Sequence, residues 1–262
     1  MTPSLLLPAS DTQVTEGVVL LAIFAGIFVL AEYGSIYPGL VEFRFAPPFN
    51  RVRFGILVAT LLLLSIACRA QTDPTTLSRL VAAIGLLVGQ SVDFPFSPIR
   101  LVMWLLPEGT SVTDATLVRT TTGLAYLVGL VGLTIFAILI RLRSWPSPNG
   151  SFNMWVNLPT FDPTAGSDVV AQLRRDGAVN ILLGLILPYF GPLAAYYLAR
   201  SYGLSMLDGN LLLVWTMSLW AFLPTSLFLR GIAMRRLALI ISMKRRRIAG
   251  PEGPADPAFM PA

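Results

Sequence analysis

Residues 122–140, TGLAYLVGLVGLTIFAILI, form a run of nineteen residues without a charged side chain, and this run decides the fold class. A hydrocarbon core ~30 Å thick takes about 20 helical residues to cross, and it tolerates only segments that close their own backbone hydrogen bonds. Four more runs read the same way: residues 18–30, 54–68, 178–198 and 211–229. A sixth, residues 80–92, has 13 residues and is short for a crossing. It is followed by Asp93, Pro95, Pro98 and Arg100 and a second apolar patch at 101–106. We expect an all-α polytopic membrane protein of about six transmembrane helices, with an interfacial segment near Trp104 after the third. A re-entrant pair over 80–106 is the alternative.

Composition agrees with that reading. Hydrophobic residues make up 55% of the 262 and charged residues 13%, with a mean hydropathy of +0.70, whereas about a quarter of a soluble chain is charged. The polar stretches are too short for a separate soluble domain, so residues 1–247 read as one membrane domain including a basic C-terminal helix. Residues 248–262, rich in Pro, Gly and Ala, read as a disordered tail. Residues 1–10 lack the basic start and the cleavage site of a secretory signal, so the first run is expected to remain as a helix.

The net charge of +5 comes from 18 Arg and Lys244 against 14 acids. Such an excess on a membrane protein belongs to cytoplasmic loops, which makes nucleic acid a poor inference. With six crossings and an inside C-terminus, 13 basic residues fall inside and six outside, Arg44, Arg51 and Arg53 among the six. That split places both termini in the cytoplasm of a bacterial inner membrane. The connection 141–174, with Trp145, Trp155 and several prolines, is expected as an irregular loop touching the interface. Its Asn149-Gly150-Ser151 sequon reads as chance in a cytoplasmic loop.

The absence of histidine is the strongest functional constraint. Haem, di-iron and most zinc sites use imidazole, and the single cysteine, Cys68, offers no thiolate set in its place. No metal, cofactor or catalytic residue is expected. A serine nucleophile would need a base, and Lys244 lies in the basic tail.

Three groups of candidate functional residues remain. Small residues at four-residue spacing allow close helix approach: Ala22 and Gly26, Gly55 and Ala59, Gly85 and Gly89, Ala125 and Gly129. Pro188, Gly191 and Pro192 interrupt the fifth long run, and with Asn180 and Glu32 they form a possible transport site. Glu32 is expected to pair with Arg51 or Arg53, Asp93 with Arg100, and Asp114 with Arg119. The tail cations Arg235, Arg236, Lys244, Arg245, Arg246 and Arg247 suit anionic lipid headgroups or a partner. The expected partners are thus the lipid bilayer and other membrane proteins. The expected function is a non-catalytic accessory, assembly or scaffold subunit, with a small transporter or channel as the alternative.

Overall fold

The computed structural model describes residues 2–7, 12–36, 39–142, 145, 152–162, 168–202 and 209–249. Among them the chain is all-α: α1 (Thr2–Leu6), α2 (Thr12–Gly34), α3 (Phe49–Arg69), α4 (Thr76–Ser91), α5 (Pro98–Trp104), α6 (Val112–Leu142), α7 (Met154–Asn157), α8 (Val169–Tyr202) and α9 (Asn210–Ala249). Five of these, within α2, α3, α6, α8 and α9, are long and apolar enough to cross a membrane. The polytopic helical fold expected from the runs is therefore the fold of the chain. The sequon and residues 250–262 lie outside the described residues, while Ile248 and Ala249 still belong to α9.

Local sequence accounts for the starts of the two short helices. The Thr75 hydroxyl accepts the Ser78 N–H while Ser78 Oγ accepts the Thr75 N–H, a reciprocal cap that starts α4. Ser97 caps α5 through the Arg100 N–H, and Pro98 stands where its missing donor costs nothing.

Pairings along the helices fix their directions. Gly132 of α6 lies against Ile56 of α3, and Phe136 against Phe49 with ring centroids 5.9 Å apart, so α3 and α6 are antiparallel. Gly177 meets Gly231, Gly184 meets Phe228, and the Pro188 carbonyl accepts the Trp220 indole N–H at 3.1 Å, so α8 and α9 are antiparallel as well. Thr122 reaches Met217 and Gly129 faces Thr225, which makes α6 and α9 parallel. The bundle thus has two ends. One holds the start of α3, the ends of α6 and α9, and the start of α8, around a core of Phe43, Phe49, Phe136, Trp145, Leu173 and Met234. The other holds Cys68, Leu117, Val118 and Leu211, and receives Leu7 and Val18 from the N-terminal segment.

The third apolar run is not among the five helices long and apolar enough to cross. α4 has 16 residues, ~24 Å of helix against a core of ~30 Å. It starts where α3 stops and runs beside the first half of α6, where Ala82 lines one surface with Thr116 and Thr120. The chain turns at residues 92–97, level with the middle of α6. There Phe94 and Pro98 share a cavity with Ala125, Gly129, Pro188 and Trp220. Val102 and Leu105 then descend past Pro192 and Thr216, and α6 begins at the end from which α4 set out. Residues 76–111 therefore form a helical hairpin that turns level with the middle of α6.

The N-terminal segment packs at the end of the bundle that holds Cys68 and Leu211, and the last turns of α9 lie at the other. The segment carrying Arg44, Arg51 and Arg53 shares its end with Trp145, residues 152–162 and the last turns of α9. The Phe43 N–H donates to the Asn157 carbonyl at 2.6 Å and the Phe45 N–H to Asn157 Oδ1 at 3.0 Å, tying the two connections together. Trp145 is buried in that core rather than held at an interface, and Trp155 is exposed.

Candidate functional site at the basic end

Glu42 stands on the turn before α3 and is mostly enclosed. Its two carboxylate oxygens accept Arg230 Nε at 2.6 Å and Nη2 at 2.7 Å, a bidentate pair between a loop and α9. Thr160 Oγ1 donates to the same carboxylate at 2.8 Å. Arg230 Nη1 donates to Asn180 Oδ1 at 3.1 Å, and Asn180 Nδ2 donates to the Asp176 carbonyl at 2.7 Å. One network thus joins α8, α9, the turn before α3 and the 152–162 segment. Beneath it, Phe43 adopts φ 53°, a left-handed conformation rare for a bulky residue. It is fully buried, and its ring lies 4.5 Å from that of Phe49 and 5.7 Å from that of Trp145. Strain of that type persists where surrounding packing over-determines the backbone.

The expected partners of Glu32 are corrected here. Its carboxylate accepts the backbone N–H groups of Gly39, Leu40 and Val41 at 2.9–3.3 Å. Arg44, rather than Arg51 or Arg53, closes the end of α2 by donating to the carbonyls of Glu32, Tyr33 and Ser35. Arg53 instead lies over the Phe222 ring and donates to Ser226 Oγ at 3.3 Å. Glu32 thus holds a loop, and it is remote from the prolines of α8.

The possible transport site separates in the same way. α8 remains helical through Pro188, Gly191 and Pro192, so these residues bend a helix rather than break it. Pro192 deprives the Pro188 carbonyl of its helical donor, and the Trp220 indole supplies the replacement. The cavity beside the bend, ≈ 330 Å³, is lined mainly by apolar and aromatic side chains. Asn180 lies two turns away and belongs to the Arg230 network.

Within the hairpin, Asp93 pairs with Arg100 at 2.7 Å, as expected from sequence, and also with Arg119 at 3.1 Å. Arg119 was expected to take Asp114, whose carboxylate instead accepts the Ser111 hydroxyl. The triad stitches the turn of the hairpin to α6.

The small-residue pairs divide sharply. A Cβ on Gly85 would stand 2.6 Å from the Thr120 carbonyl and from Leu124 Cγ, and one on Gly89 2.6 Å from the Arg119 carbonyl. Ala125 is fully buried, and Gly129 faces Thr225 Oγ1. By contrast nothing approaches Gly26 or Gly55 within 4 Å, and Ala22 and Ala59 are only half-buried. Two of the four pairs, those on α4 and α6, thus lie in close contacts within the chain. Sequence reading missed Gly123, which meets the Gly85 carbonyl and the Gly89 backbone, and the Gly177–Gly231 crossing. It also missed Glu42 and Arg230, because the two are 188 residues apart and neither interrupts an apolar run.

No family model, curated protein or solved structure matches this chain.

The tail cations occupy the same end. Arg245 pairs with Asp168, whose carboxyl is held below its usual range first by the hydrogen bond from that guanidinium. Arg236 Nε donates to the Trp145 carbonyl at 3.2 Å. Lys244, Arg246 and Arg247 are exposed and have no hydrogen-bond or ion-pair partner among the described residues. Also among the described residues, no three His, Cys, Asp or Glu side chains gather as a metal site would require.

Proposed function

We propose that this chain is a non-catalytic accessory or scaffold subunit of a bacterial inner membrane, which docks other membrane proteins along α2. The observation that carries the reading is the isolation of that helix. Residues 16–34 are long and apolar enough to cross, yet none of them is buried in the chain's own bundle. Leu20, Phe24, Ile27 and Leu30 are all more than 60% exposed, and open space lies over Gly26. The Glu32 and Arg44 contacts hold the end of α2 in place, so the free face is presented at a fixed position. The test is Gly26→Leu with Ala22→Leu in cells, normalised for membrane abundance. Loss of function and of co-purifying membrane partners at unchanged stability is expected. Unchanged activity would overturn the docking role.

Orientation follows from the same geometry. With Arg44, Arg51 and Arg53 at the end that carries Arg141, Arg174, Arg175 and the tail, 13 of the described basic residues gather there, three (Arg69, Arg79 and Arg200) lie toward the other, and Arg100 and Arg119 pair with Asp93 at the hairpin turn. This supports a cytoplasmic basic end, an inside C-terminus and an outside N-terminus, with anionic headgroups around the exposed tail cations. Reporters fused after Arg247 and before Thr2 test it, with a cytoplasmic signal expected only from the first. Transport at the α8 bend has less support, because its freed carbonyl is already taken by Trp220 and its cavity is apolar.

A further inference from the structure

Where α6, α8 and α9 meet at the basic end there is an open cleft of ≈ 530 Å³. Its walls are Ile140, Ala178, Ile232 and Leu239, and the side chains of Arg174, Arg235 and Arg236 complete its lining. Close helix approach builds the cleft: a Cβ on Gly177 would stand 2.7 Å from Arg235 Cγ and 3.0 Å from the Gly231 carbonyl. Only a glycine there lets the stem of Arg235 lie across α8. Arg236 is anchored through Nε to the Trp145 carbonyl.

The nearby acids are committed elsewhere. Glu42 is held by Arg230, Asp168 by Arg245, and Asp176 lies 3.5 Å from Arg175. Arg174 and Arg235 have no acceptor among the described residues. Three like charges beside a hydrocarbon wall repel one another unless an anion lies between them. Arginine forks match the oxygens of a phosphate, and aliphatic walls match an acyl chain.

We propose that this cleft binds the phosphate of an anionic phospholipid, with an acyl chain along Ile140, Ile232 and Leu239. The assignment rests on the orientation proposed above, which the reporter fusions test separately and which a binding measurement on purified protein does not need. It is independent of the docking role of α2.

Native mass spectrometry of the full chain in detergent tests it, with phosphatidylglycerol, diacylglycerol and inorganic phosphate as probes. One phosphatidylglycerol per chain should be retained, and diacylglycerol, which lacks the phosphate, should not. The double variant Arg174→Gln, Arg235→Gln should lose roughly 25-fold in affinity, at about fivefold for each basic side chain near an anionic group. The variant Arg79→Gln, exposed on α4 toward the other end of the bundle, should bind within about twofold of the unmodified chain, because it leaves the cleft intact. Ala178→Trp, which fills the cleft and keeps every charge, should abolish retention even if the arginine variants fail to fold. Equal retention of diacylglycerol, or binding by the Arg174, Arg235 and Ala178 variants within about twofold of the unmodified chain, would overturn the proposal. Displacement of the lipid by millimolar inorganic phosphate would overturn the lipid as source.

Discussion

Gly85 and Gly89 on α4 and Ala22 and Gly26 on α2 have the same spacing in sequence and opposite fates. Along α4, backbone meets backbone: Gly123 of α6 closes on Gly85 and Gly89, and Thr120 and Arg119 flank the contact. Along α2 the space over the small residue is empty. Small residues permit close approach without causing it. In a bilayer, lipid tails are as apolar as leucine, so approach needs a second helix that is also small at the crossing and held there by other bonds. The hairpin has both, in Gly123 and in the pairing of Asp93 with Arg100 and Arg119.

The comparison breaks first at Gly123. Enlarging it to Leu forces side-chain atoms into the α4 backbone, where no flexible group can yield. We expect a loss of ~3 kcal/mol or more, at the upper end for overpacking, read as a fall in the melting temperature of the purified protein. Gly26→Leu should stay within about ±0.5 kcal/mol, the ordinary range for an exposed site away from special features. A Gly26 variant as unstable as the Gly123 variant would mean that α2 packs on the bundle after all.

A smaller effect is expected at the Glu42–Arg230 pair, which fastens the basic end. Removing one partner of a buried pair costs 3–5 kcal/mol, and the 30% exposure of Arg230 lets water compensate in part, so Glu42→Gln should cost roughly 2 kcal/mol. Asn180→Ala removes two hydrogen bonds of the same network, those to Arg230 and to the Asp176 carbonyl, and should cost about 1–2 kcal/mol. Thermal melts of the two single variants and of the double variant test the coupling. Strictly additive losses would show that the two contacts act independently.

The five long helices could be read from sequence because lipid demands an unbroken apolar run, and the run itself records it. The hairpin could not, since its 13-residue run lies below the length of a crossing and near that of a buried helix. Only the turn at 93–98, with Pro95 and Pro98 between Asp93 and Arg100, hinted at a return. The small pairs on α4 and α6 were legible as packing candidates. Their partner Gly123 was not, because nothing in a single chain indicates which helix faces which. That Arg44, Arg51 and Arg53 share an end with the tail was not legible for the same reason. Glu42 and Arg230 left no local pattern, as their pairing exists only once the two connections have met.

The smallest expected effect lies at the outer edge of the basic end, where Asp168 meets Arg245 in solvent. The guanidinium stabilises the ionised carboxylate, so the folded state releases its proton below the ordinary aspartate value of ~3.9. A carboxyl whose folded value is depressed contributes stability that is fully present above the unfolded value and is lost as pH falls through the folded one. The difference in melting temperature between the unmodified chain and Asp168→Asn should therefore be constant from pH 6 to 8 and should shrink only below about pH 4. Salt should diminish it throughout, since both groups are exposed. A difference that changed near neutral pH would require another titrating group at this end, and with no histidine in the chain none of the usual candidates is present.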